Sequence, residues 1–297
     1  MLKRLPILIC ALALAACGSH SDNAASSPHS TASAPVAAST SPATAPAASS
    51  PASPAATAST AAASSAPASA ASSPQPASKP KTTAKVDFKD TGKWVAGKNY
   101  FVISPAQPKV GNTSKVEVVE VFSWGCPACN HAHPIVDAMR QALPDYATMD
   151  YLPAAFRPDE NWVVYQRAFY AAKALGVADK SYNAVFDATW KTGELATYNL
   201  STGRPKPKSD WPGIDAFAAF YAKKYDVNAA KFEAVAKSFS VNLKMKRADE
   251  LVKAYGVPGT PTFVVDGKYR FDFSSAGGTQ QAIELAKWLA AKEAAGK

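Results

Sequence analysis

The chain has 297 residues, enough for one large domain or two small ones, and its 32 lysines and arginines against 23 acids give a formal net charge of +9. This excess is moderate and is not gathered into a dense basic stripe, so no nucleic-acid partner is expected. Cysteine is scarce, with four in the whole chain, and the positions of those four separate an exported leader from a reactive domain.

The first twenty residues, MLKRLPILICALALAACGSH, place Lys3 and Arg4 before a short apolar run that ends in small residues. Such a run is a secretory signal, since a membrane span needs about 20 apolar residues. Its end, Leu14-Ala15-Ala16-Cys17, resembles the lipobox of bacterial lipoproteins. That implies a signal region over 1–17, cut before Cys17, and a lipid on Cys17 that ties the protein to a membrane without a transmembrane helix.

Residues 18–84 are almost only Ala, Ser, Pro and Thr. They contain nothing large to bury and cannot offset the entropy of ordering, so a disordered linker is expected. Recurring prolines and serines argue against helix despite the alanine content. The folded domain is therefore read as 85–297. Removing Lys3, Arg4, Lys79 and Lys81 from the 32 bases and Asp22 from the 23 acids leaves 28 against 22 in that domain, a net of about +6.

Within the domain, KVEVVEVF at 115–122 is a β-branched run of strand type. Pro127 suits the first turn of a helix, which Ile135, Val136, Met139 and Leu143 continue at helical spacing. A turn at Pro144 and Asp145 leads into a second strand over 147–152, giving the strand, helix, strand order of an α/β unit. A helix capped by Asp159 is predicted over 159–175, with Trp162, Tyr165, Phe169 and Ala172 on its buried face and Gly176 as its stop. Further helices are predicted over 182–190, 215–225 and 229–255, the last broken near Val241, and their aromatic residues are read as core. The basic loop GRPKPKS at 203–209 is read as a solvated turn. TFVV at 262–265, Asp266-Gly267 and KYRFDF at 268–273 read as a hairpin, followed by a helix over 279–288.

Cys10 lies in the signal and Cys17 at the lipid site, so the domain keeps only Cys126 and Cys129. A bridge between residues this close closes almost no loop, so in an exported domain the pair is read as reactive. Cys126 falls at a helix N-terminus, whose unpaired N–H groups and dipole favour an anion. It is expected to lie exposed and to attack, while Cys129, one turn deeper, resolves the intermediate. His131 and His133 come close behind, so a zinc or copper site is the alternative. On one helix, however, His131 points away from the face shared by the other three, and both histidines are read as helix-surface residues.

A strand ending in CPAC at a helix start, together with YGVPGTPTFVV at 255–265 ahead of a hairpin, resembles the thioredoxin superfamily. Within it the chain is similar to DsbA-type thiol:disulfide oxidoreductases. The resemblance covers 85–297 and implies an α/β, thioredoxin-like fold: a central mixed sheet flanked by helices, with an all-helical domain inserted at about 157–250.

It implies roles as well. Pro261 corresponds to the family's cis-proline beside the disulfide, and Thr260 would offer backbone N–H and C=O groups to an extended substrate. Glu120 corresponds to a buried acid near the second cysteine that moves protons during exchange, whereas Glu117 is expected to face solvent. Ala128 stands where the family often carries histidine, which removes one source of thiolate stabilisation and leaves the oxidant's strength open. The activity implied is the introduction of disulfide bonds into unfolded exported proteins in the periplasm. It would be carried out by a monomer, with no cofactor beyond the Cys126–Cys129 disulfide and a DsbB-type membrane protein as reoxidant. The alternatives are a reductase or isomerase of the same fold, or a lipoprotein that binds metal or a partner.

Overall fold

A computed structural model of the chain describes residues 86–297; the signal, Cys17 and all of the expected linker lie outside the described residues. Five strands form one sheet: β1 (Phe101–Val102), β2 (Val116–Phe122), β3 (Ala147–Pro153), β4 (Thr262–Val265) and β5 (Tyr269–Phe271). Their order is β1-β5-β4-β2-β3, with β2 and β3 parallel and the other neighbours antiparallel. Helix α1 (Pro127–Ala142) makes the crossover between the parallel strands. This is a thioredoxin-like mixed sheet.

Five helices occupy the chain between β3 and β4: α2 (Trp162–Ala174), α3 (Ala178–Trp190), α4 (Ile214–Tyr225), α5 (Ala229–Ala236) and α6 (Phe239–Ala254). A short α7 (Phe273–Ala276) and α8 (Thr279–Ala294) close the domain. α8 packs on β2, β4 and α1, while α2 and α6 pack on β3. An aromatic cluster ties the inserted helices to the sheet. Phe122, at the end of β2, lies 5.5 Å from Phe169 of α2 and 5.2 Å from Tyr182 of α3, centroid to centroid. Pairs at such spacings add to the area they bury.

Most element boundaries have a local chemical cause. Asn161 takes a left-handed backbone at φ 66°, so α2 starts at Trp162 and Asp159 falls in a separate 3-10 turn over Pro158–Glu160. The predicted break near Val241 occurs three residues earlier, at Ser238, whose hydroxyl accepts from Val241 N at 3.3 Å and caps α6. In the hairpin, Asp266 and Gly267 both have positive φ, at 51° and 68°, as a two-residue turn between twisted strands requires. The second strand is shorter than predicted, because Asp272 and Ser275 form a reciprocal capping box that starts α7 at Phe273.

Glu117 corrects an expectation. It is fully buried, and its carboxylate accepts from Val110 N at 2.7 Å and Gly111 N at 2.6 Å. β2 is an interior strand with both faces covered, so alternation along it carries no exposed side. The segment before β2 returns over the sheet and offers its N–H groups to Glu117. Burial raises the Glu117 pKa despite those bonds.

Candidate active site

Cys126 ends the turn after β2 and is itself the N-cap of α1: its sulfur accepts from Cys129 N at 3.4 Å. Ser123 shapes that turn, with its carbonyl accepting from Cys126 N at 3.0 Å and its hydroxyl from Gly125 N at 3.2 Å. Gly125 lies under α2. A Cβ there would stand 3.0 Å from Trp162 Nε1 and 3.1 Å from Tyr165, too close for either to stay in place. Pro127 occupies the first helical position, where no N–H is needed. Ala128 is exposed, and only its backbone serves the site.

The two sulfurs, free thiols here, meet opposite surroundings. The Cys126 thiol is lowered from 9.0 to about 6, first by a hydrogen bond from the Cys129 thiol, against the opposing effect of burial. The Thr260 side chain and the backbone N–H groups of Cys129 and Ala128 lower it further. When protonated, Cys126 Sγ can instead donate to the Thr260 carbonyl at 3.5 Å, a contact that favours the thiol and is outweighed. Cys129 is 0 % exposed, and burial pushes its thiol well up, as do its bond to Cys126 and the charge of Glu120. Cys126 is not as open as its sequence position suggests. It is 5 % exposed, covered in part by the Thr260 loop.

The Thr260–Pro261 peptide is cis, and Thr262 steadies the loop by donating its hydroxyl to Gly259 O at 2.7 Å. Beside it runs a groove of about 320 Å³ lined by Gly259, Thr260, Pro261, Asp272 and Phe273. A groove edged by backbone next to a reactive sulfur can take an extended peptide.

Glu120 is buried on β2, on the face opposite Glu117. Burial raises its pKa from 4.5 to about 8. Tyr182 donates its hydroxyl to Oε2, whereas Oε1 is buried without a partner.

The four Cys and His residues that suggest a metal do not converge. His131 is exposed, whereas His133 corrects the surface assignment by stacking on Phe186 of α3 at 5.1 Å and 9°. Among the described residues, no three His, Cys, Asp or Glu side chains are grouped to hold a metal ion. None of the described helices is long and apolar enough to cross a membrane.

The thioredoxin family model matches residues 104–285. The thiol:disulfide interchange protein DsbA of Pseudomonas aeruginosa is 37 % identical over 203 residues, covering 68 % of this chain and 87 % of the relative. The chain belongs to the DsbA family of thiol:disulfide oxidoreductases. DsbA of Azotobacter vinelandii is 34 % identical over 197 residues, covering 65 % and 82 % of the two chains. The crystal structure of Pseudomonas aeruginosa DsbA matches with a TM-score of 0.58 and 34 % identity, over 69 % of this chain and 97 % of that one. The protein is accordingly a disulfide-introducing oxidoreductase.

In this DsbA-family site, the cysteines and Glu120 from one stretch of chain are brought together with Thr260 and Pro261 from another. Sequence reasoning misses Tyr182, because aromatics at helical spacing read as core. A signal is present nonetheless: a buried tyrosine hydroxyl needs a partner, and a buried carboxyl needs a donor.

Proposed function

We propose that Cys126 and Cys129 are the redox pair of this oxidoreductase and that they oxidise paired cysteines of unfolded exported proteins. A substrate thiolate attacks Cys126 of the oxidised pair; the Cys126–Cys129 bond breaks, a mixed disulfide forms, and Cys129 leaves as a thiolate. Burial makes that thiolate costly, so it takes the proton that Glu120 holds up to about pH 8. A second substrate thiolate then attacks the substrate sulfur, forming the substrate disulfide and releasing Cys126 as its stabilised thiolate. Two electrons pass from substrate to the pair, and no cofactor beyond the pair is required. Thr260 and Pro261 hold the extended substrate beside Cys126.

The observation that carries this reading is the contrast between the two sulfurs: Cys126 caps α1 and accepts from Cys129 N at 3.4 Å, which helps lower its thiol to about 6, whereas Cys129 is fully buried and its thiol is raised. It favours release from Cys126 and penalises a free Cys129 thiolate, so the disulfide is readily handed on. The names of the relatives support the same chemistry. We place the protein in the periplasm as a monomer, held to a membrane by lipid on Cys17, with a DsbB-type membrane protein restoring the disulfide.

The test is to trap Cys129→Ala in cells. Mixed disulfides between Cys126 and exported proteins are expected, and none would overturn the assignment. In the unaltered protein, a redox equilibrium with glutathione near the thioredoxin value of about −270 mV would overturn the oxidase direction. Cys17→Ala is expected to release the protein from membranes; continued detergent-dependent association would overturn lipidation.

A further inference from the structure

The inserted helices supply a residue to the acid beneath the cysteines. Tyr182 of α3 donates its hydroxyl to Glu120 Oε2, and the other oxygen of that carboxyl has no partner. Tyr182 is fixed from several sides. Its ring stacks on Tyr151 of β3 at 4.3 Å and touches Phe122 and Phe186 at 5.2 Å, and its carbonyl accepts from Trp124 Nε1 at 3.1 Å. It also lines a polar cavity of about 630 Å³ with Asp137, Arg140, Asp179, Lys180 and Asn183.

We propose that Tyr182 is the positioning residue of the proton-transfer step: it holds Oε2 of Glu120 in place and leaves Oε1 as the atom that exchanges a proton with Cys129. This rests on the proton role proposed for Glu120 and adds the group that controls it. One oxygen of a carboxyl cannot be both the anchored acceptor and the mobile proton carrier without breaking the anchor. The division between a bonded and an unbonded oxygen removes that conflict.

The step balances in both directions. During substrate oxidation, the proton on Glu120 passes to the departing Cys129 thiolate and leaves a carboxylate that Tyr182 continues to hold. During reoxidation, that carboxylate takes the proton from Cys129. Cys129 then attacks Cys126 in a mixed disulfide and displaces the partner thiolate. The ionisable groups around Glu120 are Cys126 at the N-cap of α1, Cys129 and Asp137 within that helix, Tyr151 of β3 and Tyr182 of α3. Asp137 is itself paired with Arg140 and bonded to Asn183, which leaves Tyr182 as the hydrogen-bond donor to the carboxyl.

The full chain can be tested by loading Cys126 with glutathione and monitoring release of glutathione by Cys129 across pH. Release requires Glu120 as a carboxylate, so the rate rises with pH through the Glu120 midpoint. Tyr182→Phe keeps the ring and removes the donor. The midpoint is then expected to move up by about 1 pH unit or more, the size of a hydrogen bond to a charged group. The rate at neutral pH should fall about tenfold while the Cys126 thiolate titration is unchanged. In a Glu120→Gln background, which lacks the profile, Tyr182→Phe should add nothing.

Replacing Tyr182 with a fluorotyrosine, a stronger donor of nearly the same size, should move the midpoint down and provides the test if the phenylalanine variant folds poorly. A midpoint that stays put in the Tyr182 variants while Glu120→Gln abolishes the profile overturns the role of Tyr182 alone. A profile that survives Glu120→Gln overturns the proton role of Glu120 itself.

Discussion

Replacing Cys129 with alanine should raise the Cys126 pKa, because the Cys129 thiol is the largest of the influences that lower it from 9.0 to about 6. A hydrogen bond to a charged group contributes about 1.5–3 kcal/mol, or about 1–2 pKa units. The Thr260 side chain and the N–H groups of residues 128 and 129 survive the substitution, so the midpoint should settle between about 7 and 8 and not return to the ordinary value. At pH 7 the thiolate fraction then falls from about nine-tenths to between about a half and a tenth. The assay is the ultraviolet absorbance of the thiolate during pH titration of Cys129→Ala. A midpoint staying near 6 would refute the reasoning and assign the lowering to the helix N-terminus and Thr260. In the proposed redox pair the same ionisation sets the oxidising strength. The unfolded chain keeps the Cys126 proton up to about pH 9 and the folded dithiol loses it above about 6, so the stabilisation of the reduced form is absent below pH 6 and grows from there to 9. At pH 7 it amounts to a factor of roughly 10, on the order of 1 kcal/mol, or a few tens of mV for a two-electron couple.

Glu120 works in the opposite sense: its pKa is raised from 4.5 to about 8, so its burial costs stability increasingly as pH rises through that window. Glu120→Gln should therefore stabilise the dithiol protein by a few kcal/mol more at pH 8 than at pH 4.5 in denaturant titrations, and equal gains would contradict a raised pKa. Gly125→Ala should cost about 1–3 kcal/mol, measured as a lowered denaturant midpoint, because its methyl group would press on Trp162 and Tyr165 of α2. An unchanged midpoint would show that α2 can shift freely. Glu117→Ala should cost about 2–4 kcal/mol and remove the hydrogen-exchange protection of the Val110 and Gly111 amides, which lose their acceptor; protection retained at both would show that the carboxylate does not hold the segment.

Legible in the sequence is whatever depends on near neighbours. The strand before Cys126, Pro127 at the first turn and Asp266-Gly267 in the hairpin each arise from steric preferences of a few adjacent residues. Glu117 and His133 escape such reasoning because their surroundings come from elsewhere. The segment at Val110 and Gly111 folds back over Glu117, and Phe186 arrives from an inserted helix to cover His133. Alternation along β2 cannot show that both of its faces are covered, since that depends on the strand's place in the sheet. For the same reason Tyr182 is visible in the sequence as a buried aromatic but not as the donor to Glu120.

Ala128 looks like a deficit because it stands where the family often has histidine, and its geometry changes the weight of that difference. Its methyl group is exposed and takes no part, yet its backbone N–H is among the groups that lower Cys126, together with that of Cys129. Those two N–H groups belong to the first turn of α1 and would be present with any residue at this position that continues the helix. The Cys126 thiolate therefore rests on a helix terminus, a neighbouring thiol and a loop hydroxyl, none of which depends on the side chain at 128. A cation placed there would add a Coulombic contribution at an exposed position, where solvent screens it. Ala128→His is expected to change the Cys126 midpoint less than Cys129→Ala does, and ultraviolet titration of both variants decides it. A larger shift from the histidine would show that the side chain at 128, and not the backbone beneath it, governs this thiolate.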